Sequence, residues 1–405
     1  MCHQFFGDEE EIKGYEDLEV DIWLSQRSYE ALVEVRYSSK MRDADDIEKA
    51  LRDKFTAGLS TTRDEYLRKL QGAAPLLLES LGKPVLERGT GAGSLAVYRV
   101  QLSTADKSVR DLHARLQPLL MFFVDGASFI DAEEREWDFL LAVHTEGDCI
   151  TIAGYATIFN FWCFPDQTRI RVSQVLVPPP NQGKGVGRAL LEAVYITADE
   201  RGAVDITYED PTDTVQLIRE RIELQRAVKL PWLADLAAST AKAIAAGTLT
   251  ATNGSHPSSE ANSMEAASPA LLPPQDAAKV QAELRVSKKQ VRKLWEVLLY
   301  AQPGWGDALR QQVVEGLVRA RLVGGVTSTK RVAEGKRIFD IPNGFLMTKV
   351  ANGSELGPGA GMRVAMESED AEGQSAEERE AALNEAVTKR MDELKGLAAY
   401  VQRLL

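Results

Sequence analysis

Three stretches in the first hundred residues alternate apolar and polar positions with the period of a half-buried strand: EVDIWLS (19–25), ALVEVRYS (31–38) and LAVYRVQL (95–102). Between the last two, DADDIEKALRDKF (43–55) predicts a short helix whose acids gather at the end where the helix dipole favours them. A longer helix is expected within SVRDLHARLQPLLMFFV (108–124), where Val109, Leu112, Leu116 and Leu119 recur at helical spacing. Pro118 is expected to bend that helix or to end its first part.

From 136 to 209 strand-like runs alternate with turns: WDFLLAVH, ITIAGYATIFNFW and RIRVSQVLV. The last leads through Pro178, Pro179 and Pro180 into NQGKGVGRALL (181–191). Val186, Leu190, Ala193, Val194 and Thr197 then share one helical face, Gly202 closes the helix, and AVDITY (203–208) reads as another strand. Strand, glycine turn, helix and strand make a βαβ unit, which pairs its strands in parallel.

Residues 236–275 are dominated by Ala, Ser, Thr, Pro and Asn and hold no aromatic residue, the composition of a linker. Structure is expected to resume at Ser287, a capping-box start with Gln290 three residues on; Val291, Leu294, Trp295 and Leu298 form the next stripe. A helix near 306–323 follows. A terminal one within 376–405 carries Leu383, Val387, Met391, Leu394 and Val401 near heptad spacing, a stripe expected to pack within the chain.

Composition narrows the classes. The chain has 405 residues, 44% hydrophobic and 27% charged, with a net charge of −12. That balance argues against a dedicated nucleic-acid binder, which needs a basic face, and suits a basic partner or plain solubility. No run is long enough for a membrane span, and the acidic start has no secretory signal pattern. Cys2, Cys149 and Cys163 lack metal-ligand spacing, and no metal site is expected. A reduced intracellular compartment follows. Cys163 is expected to be a small packed thiol rather than a nucleophile.

Closely spaced glycines let successive backbone N–H groups turn toward an anion, and a helix starting there adds its positive dipole end. No Lys-Ser or Lys-Thr follows the last glycine, so a Walker loop does not fit, and Gly183, Gly185 and Gly187 alternate unlike a dinucleotide fingerprint. The pattern that fits is Q/R-x-x-G-x-G/A, at Gln182, Gly185 and Gly187, the pyrophosphate loop of GCN5-related N-acetyltransferases (GNAT), which bind acetyl-coenzyme A. Gly183 and Val186 complete the loop, and Lys184 and Arg188 stand ready to add charge at its rim. The preceding strand would offer backbone at Val175, Leu176 and Val177 to the pantetheine arm and acetyl carbonyl.

RVSQVLVPPPNQGKGVGRALLEAV followed by VDITYEDPTD resembles the type B histone acetyltransferase catalytic subunits. The resemblance extends to HQFFGDEEEIKGYEDLEVDIWLS, VEVRYSSKMRDADDIEKAL, LHARLQPLLMFFVDGASFIDAEEREWDFLLAV, GYATIFNFWCFPDQTRIRVSQ and AELRVSKKQVRKLWEVLL, covering about 3–235 and 277–300. It implies an α/β fold: an N-terminal mixed domain for substrate (1–118), a GNAT catalytic domain (119–235) and a helical domain (276–330); the linker (236–275) is longer than the family's, and the tail with its terminal helix (331–405) diverges from it. It implies acetyl-CoA as donor, free histone as acceptor, chiefly the tail of histone 4, a WD-repeat histone-binding partner, and residence in cytoplasm and nucleus. Acetylation of another amine, or histone binding without catalysis, stays the alternative.

Attack on a thioester needs a neutral amine, whereas a free lysine has a pKa of about 10.4. An unperturbed glutamate base faces a mismatch of roughly six units, on the order of 8 kcal/mol. Burial or a neighbouring carboxylate must raise it, or the lysine must shed its proton while attacking. The resemblance makes Glu209 the base, with Asp210 beside it, and puts Asp125 where the family carries an assisting glutamate, one methylene longer. Thr212 falls at a cofactor contact. Asp8, Glu9 and Glu10 match a tail-contact segment, within a stretch (8–21) of eight acids and one lysine. Trp137 and the run Phe159, Asn160, Phe161 match others; acids and aromatics attract Lys and Arg and grip their stems.

Overall fold

The computed structural model describes residues 3–7, 11–72, 78–91, 93–124, 126–247, 270–333 and 376–404. The chain forms two compact units, Met1–Ile218 and Arg219–Leu405.

In the first unit a short helix α1 (His3–Phe6) precedes β1 (Tyr15–Glu16), β2 (Glu19–Leu24), β3 (Ala31–Arg36) and β4 (Ser39–Lys40). Helix α2 (Ile47–Lys54) is capped by Asp46, whose Oδ1 accepts from Lys49 N at 3.0 Å. After β5 (Leu59–Ser60) and α3 (Arg63–Gly72), a six-stranded sheet begins with β6 (Pro84–Thr90) and β7 (Gly93–Gln101). Helix α4 (Lys107–Phe123) crosses to β8 (Trp137–Glu146), β9 (Cys149–Cys163) and β10 (Gln167–Leu176). Helix α5 (Val186–Arg201) then leads to β11 (Ile206–Tyr208). The sheet order is β11-β10-β9-β8-β7-β6, antiparallel except that β10 and β11 run parallel, as the βαβ reading requires.

Helix α5 earns its place by burying Val186, Leu190, Ala193, Val194 and Thr197, and Gly202 ends it with a left-handed φ of 60°. Burying each large aliphatic side chain contributes about 1.5–3 kcal/mol before entropy is set against it. Helix α4 buries Val109, Leu112, Leu116 and Leu119, but Pro118 neither ends nor divides it. The helix continues to Phe123 because Leu119, Leu120 and Met121 are buried beyond the proline. Gln4 Nε2 also donates to the end carbonyls of Met121 and Val124, at 2.8 and 2.9 Å.

The division expected at 118/119 therefore lies inside a continuous helix. One core joins Val33, Ile47, Leu51 and Phe55 to Leu116, Phe139, Leu141 and Tyr155, so the N-terminal strands and the central sheet form one body.

The boundary between the two compact units falls within α6 (Asp213–Ala227). The second unit adds α7 (Pro231–Ala245), α8 (Pro274–Leu284), α9 (Lys288–Ala301), α10 (Asp307–Ala333) and α11 (Ala376–Gln402). Helix α7 runs ten residues into the stretch read as a linker, since alanine is the best helix former and Ala237, Ala241 and Ile244 are buried. Helix α8 precedes Ser287, whose Oγ caps α9 by accepting from Gln290 N at 3.4 Å. The stripe of α11 packs against α9 and α10, with Val387, Met391, Leu394 and Val401 buried. Among the described residues no helix is long and apolar enough to cross a membrane.

Candidate active site

Strands β10 and β11 pair only over Ile170–Val172 and Ile206–Tyr208. The last bond of the ladder runs from Glu209 N to the Val172 carbonyl, at 3.0 Å. The strands then part. The register of β10 against β9 shifts between Val172 and Gln174, leaving Ser173 as the extra residue of a bulge, and β10 continues along β9 to Leu176. The other chain leaves the sheet at Asp210, which takes a φ of 34°, with Pro211 next. Beyond Val172, β10 has a ladder partner on one side only among the described residues. Val175 and Val177 are half-buried there, and Leu176 turns its side chain into the core.

Next to this opening comes the glycine turn. Gly183 and Gly185 have φ of 72° and 82°, which L side chains adopt at a cost. Gly185 is the N-cap of α5 and brings no side chain to the first-turn N–H groups, leaving them for an anion. Gln182 braces the turn, its Nε2 donating to the Val177 carbonyl at 2.9 Å. A Cβ built on Gly187 would meet Val177 and Ile218 at 3.7 and 3.9 Å, ordinary contacts, which explains why this position of the pattern admits alanine. Lys184 is exposed at the rim. Arg188 is engaged: its Nε donates to Glu192 Oε1 at 2.9 Å, and Glu192 also binds Arg88 of β6. Val186 is buried, so only its backbone faces the turn. The Thr212 hydroxyl accepts from Val215 N at 3.4 Å at the start of α6.

On the other side of Glu209 lies a cleft of about 190 Å³ lined by Trp137, Phe159, Phe161, Arg171, Ser173 and Glu209. Trp137, Phe159 and Arg171 are cross-strand neighbours on β8, β9 and β10, so one face of the sheet carries all three. Trp137 meets Phe159 edge-on at 4.8 Å between centroids, and Phe159 meets Phe161 at 4.6 Å. The Arg171 guanidinium lies 4.9 Å from the Phe161 centroid. The Trp137 indole donates to Glu134 Oε2 at 3.1 Å.

Asn160 departs from expectation. As the residue between Phe159 and Phe161 it points to the opposite face of β9. There its amide donates to the Glu136 carbonyl at 2.8 Å and to Asp138 at 3.1 Å, while its oxygen accepts from Arg201. It ties the sheet to α5 and does not line the cleft. Glu209 is an exposed side chain, and its Oε2 accepts from the Ser173 hydroxyl at 2.8 Å. Asp210 is also exposed. Asp8, Glu9, Glu10 and Asp125 lie outside the described residues.

The sequence reading missed Arg171 and Ser173. Their alternation in RIRVSQ marks a shared face, but that Ser173 reaches Glu209 across the β10–β11 fork has no sequence signature. Among the described residues no three His, Cys, Asp or Glu side chains gather as metal ligands.

A strand pair splayed beside an uncapped helix N-terminus, with a carboxylate at the fork, is the arrangement of a GNAT-class N-acetyltransferase. The model "Acetyltransferase (GNAT) family" matches residues 108–217, and "Histone acetyl transferase HAT1 N-terminus" matches 1–125. Proteins named histone acetyltransferase type B catalytic subunit align at several distances. That of Arabidopsis thaliana is 26% identical over 99% of this chain and 86% of its own, and that of Zea mays 27% over 98% and 84%. That of Rattus norvegicus is 32% identical over 56% and 58%. Among solved structures, an aminoglycoside acetyltransferase from an uncultured soil metagenomic sample covers 30% of this chain and 82% of its own, at 14% identity and a TM-score of 0.24. The chain is an acetyltransferase with a GNAT domain, and it is similar along nearly its whole length to type B histone acetyltransferase catalytic subunits.

Proposed function

We propose that this chain transfers acetyl from acetyl-CoA to lysine side chains of free histone, chiefly the tail of histone 4, in a ternary complex with Glu209 as general base. The observation that carries the reading is the position of Glu209, which closes the β10–β11 fork on one side and the aromatic cleft on the other. The glycine turn suits the diphosphate of the donor: Gly183, Gly185 and the first turn of α5 supply N–H groups, and Lys184 supplies charge. Acetyl-CoA, when bound, brings the acetyl group as an activated thioester. The edge of β10 at 173–176 that has no ladder partner among the described residues is suited to hold the donor's arm by main-chain hydrogen bonds.

In the cleft, Trp137, Phe159 and Phe161 grip an aliphatic stem and leave its amine beside Glu209. The carboxylate accepts the ammonium proton, directly or through one water, as the nitrogen lone pair attacks. Because Glu209 is exposed in the free protein, the lysine itself must cover it, and proton loss accompanies attack rather than preceding it. The C–N bond forms, the C–S bond breaks, and the thiolate leaves.

The acidic stretch at 8–21 complements a basic tail, and Asp8, Glu9, Glu10 and Asp125 are proposed to serve tail binding and proton removal. Thr212 and Arg188 are proposed to border the donor. A WD-repeat histone-binding partner and residence in cytoplasm and nucleus complete the reading. Acetyl transfer compared across a histone 4 tail peptide, a protein N-terminal peptide and a polyamine tests the substrate. Preference for the tail peptide by at least tenfold in kcat/KM is expected, and equal or better use of either other amine contradicts it.

A further inference from the structure

Glu209 is an exposed side chain at the frayed end of a three-residue strand, a place where a glutamate ordinarily samples several rotamers. Two attachments oppose this. Its backbone N–H bonds the Val172 carbonyl at 3.0 Å, and its carboxylate accepts from the Ser173 hydroxyl at 2.8 Å. Both partners belong to one dipeptide of β10, at the point where its register with β9 shifts. Strand alternation puts Ser173 on the face of Arg171, and the bulge brings Gln174 opposite Thr157 on that face as well.

We infer that Ser173 is a positioning residue for the reaction, holding the Glu209 carboxylate at the mouth of the aromatic cleft through Oε2 and leaving Oε1 to face the substrate amine. The inference rests on Glu209 being the base. Ser173 lines the same cleft, so the hydrogen bond lies at the site of proton transfer and not behind it. A charge-assisted O–H to carboxylate bond is among the stronger side-chain hydrogen bonds. It survives the reaction, because a carboxyl group protonated on Oε1 still accepts through Oε2.

The test is the pH–rate profile of Ser173→Ala, Ser173→Thr, Glu209→Gln and the double variant Ser173→Ala/Glu209→Gln, with acetyl-CoA affinity measured for each. Ser173→Ala is expected to lower kcat roughly ten- to hundredfold, the scale of a misplaced catalytic group, with donor affinity within twofold of wild type. Ser173→Thr, which keeps the hydroxyl, restores most of the rate. In the Glu209→Gln background Ser173→Ala is expected to add little. An inactive Glu209→Gln with a wild-type Ser173→Ala overturns the role of Ser173 alone. An active Glu209→Gln overturns both it and the base assignment. Equal rate losses in both backgrounds place Ser173 on some other step and also overturn it.

Discussion

Gly154 of β9 passes so close beneath the end of β10 that a Cβ built on it would stand 2.7 Å from the Leu176 carbonyl oxygen and 3.3 Å from Val177 Cα. Both neighbours are backbone at the strand end that borders the glycine turn, and neither has a flexible tip to move aside. Gly154→Ala is expected to push that strand end outward. The cost is about 1–3 kcal/mol of stability, the range for overpacking a filled interior. A larger loss is expected in acetyl-CoA affinity, measured by calorimetry. Unchanged melting and unchanged affinity together would mean that β10 has slack there.

Asn160 separates two accounts of the run Phe159, Asn160, Phe161. Its hydrogen bonds to Glu136, Asp138 and Arg201 make it a fastener between sheet and helix. Asn160→Ala is expected to cost about 1 kcal/mol in chemical denaturation. The KM for a tail peptide should stay within twofold of wild type, whereas Phe161→Ala raises it severalfold. A rise for Asn160→Ala matching that of Phe161→Ala would restore Asn160 as a contact.

His113 sits in the core against Phe139 and Tyr155, at 5.1 and 6.5 Å between centroids, and burial pushes its pKa down from 6.5 to about 4. Between those values the unfolded chain takes up a proton that the folded chain refuses. Stability from this group is therefore full above pH 6.5 and drains away as pH falls toward 4, by roughly 3 kcal/mol. In His113→Phe the fall in stability between pH 7 and pH 4.5 should be smaller by most of that amount. An identical fall in both proteins would show that His113 is not the group responsible.

In the helical unit Glu220 of α6 accepts from Lys293 of α9 and Arg390 of α11, each at 2.9 Å, with all three side chains largely buried. Removing one member of such a cluster strands charge in the interior and costs about 3–5 kcal/mol. Arg390→Met is expected to lose that much, and limited proteolysis should then release α11 first. If Arg390→Met melts like wild type, the terminal helix is held by its apolar stripe alone.

Much of this architecture is legible in the sequence because its signals are local. The stripe Val186, Leu190, Ala193, Val194 and Thr197 reports buried volume, Gly202 reports a left-handed cap, and the spacing of Gln182, Gly185 and Gly187 reports the turn. Pro118 does not end the helix because a proline's local cost is outweighed by Leu119 and Leu120 packing beyond it, a tertiary gain invisible to a window of sequence. The stretch after 236 misleads because alanine-rich helix and alanine-rich linker share a composition until burial decides between them. Asn160 keeps company with two cleft aromatics, and only strand alternation, read strictly, sends it to the far face. The Ser173–Glu209 hydrogen bond depends on the pairing of β10 with β11, a feature of two strands rather than of either one.

The measurement that bears most directly on the site is transfer of labelled acetyl to a histone 4 tail peptide by the wild-type chain and by Glu209→Gln, with acetyl-CoA affinity measured on both. Loss of a general base costs about 10²- to 10⁴-fold. The expected result is a fall in kcat of that size with donor affinity unchanged, since Glu209 faces the cleft and not the glycine turn. Transfer that persists within a few-fold in Glu209→Gln would contradict the account and move the proton to another acceptor.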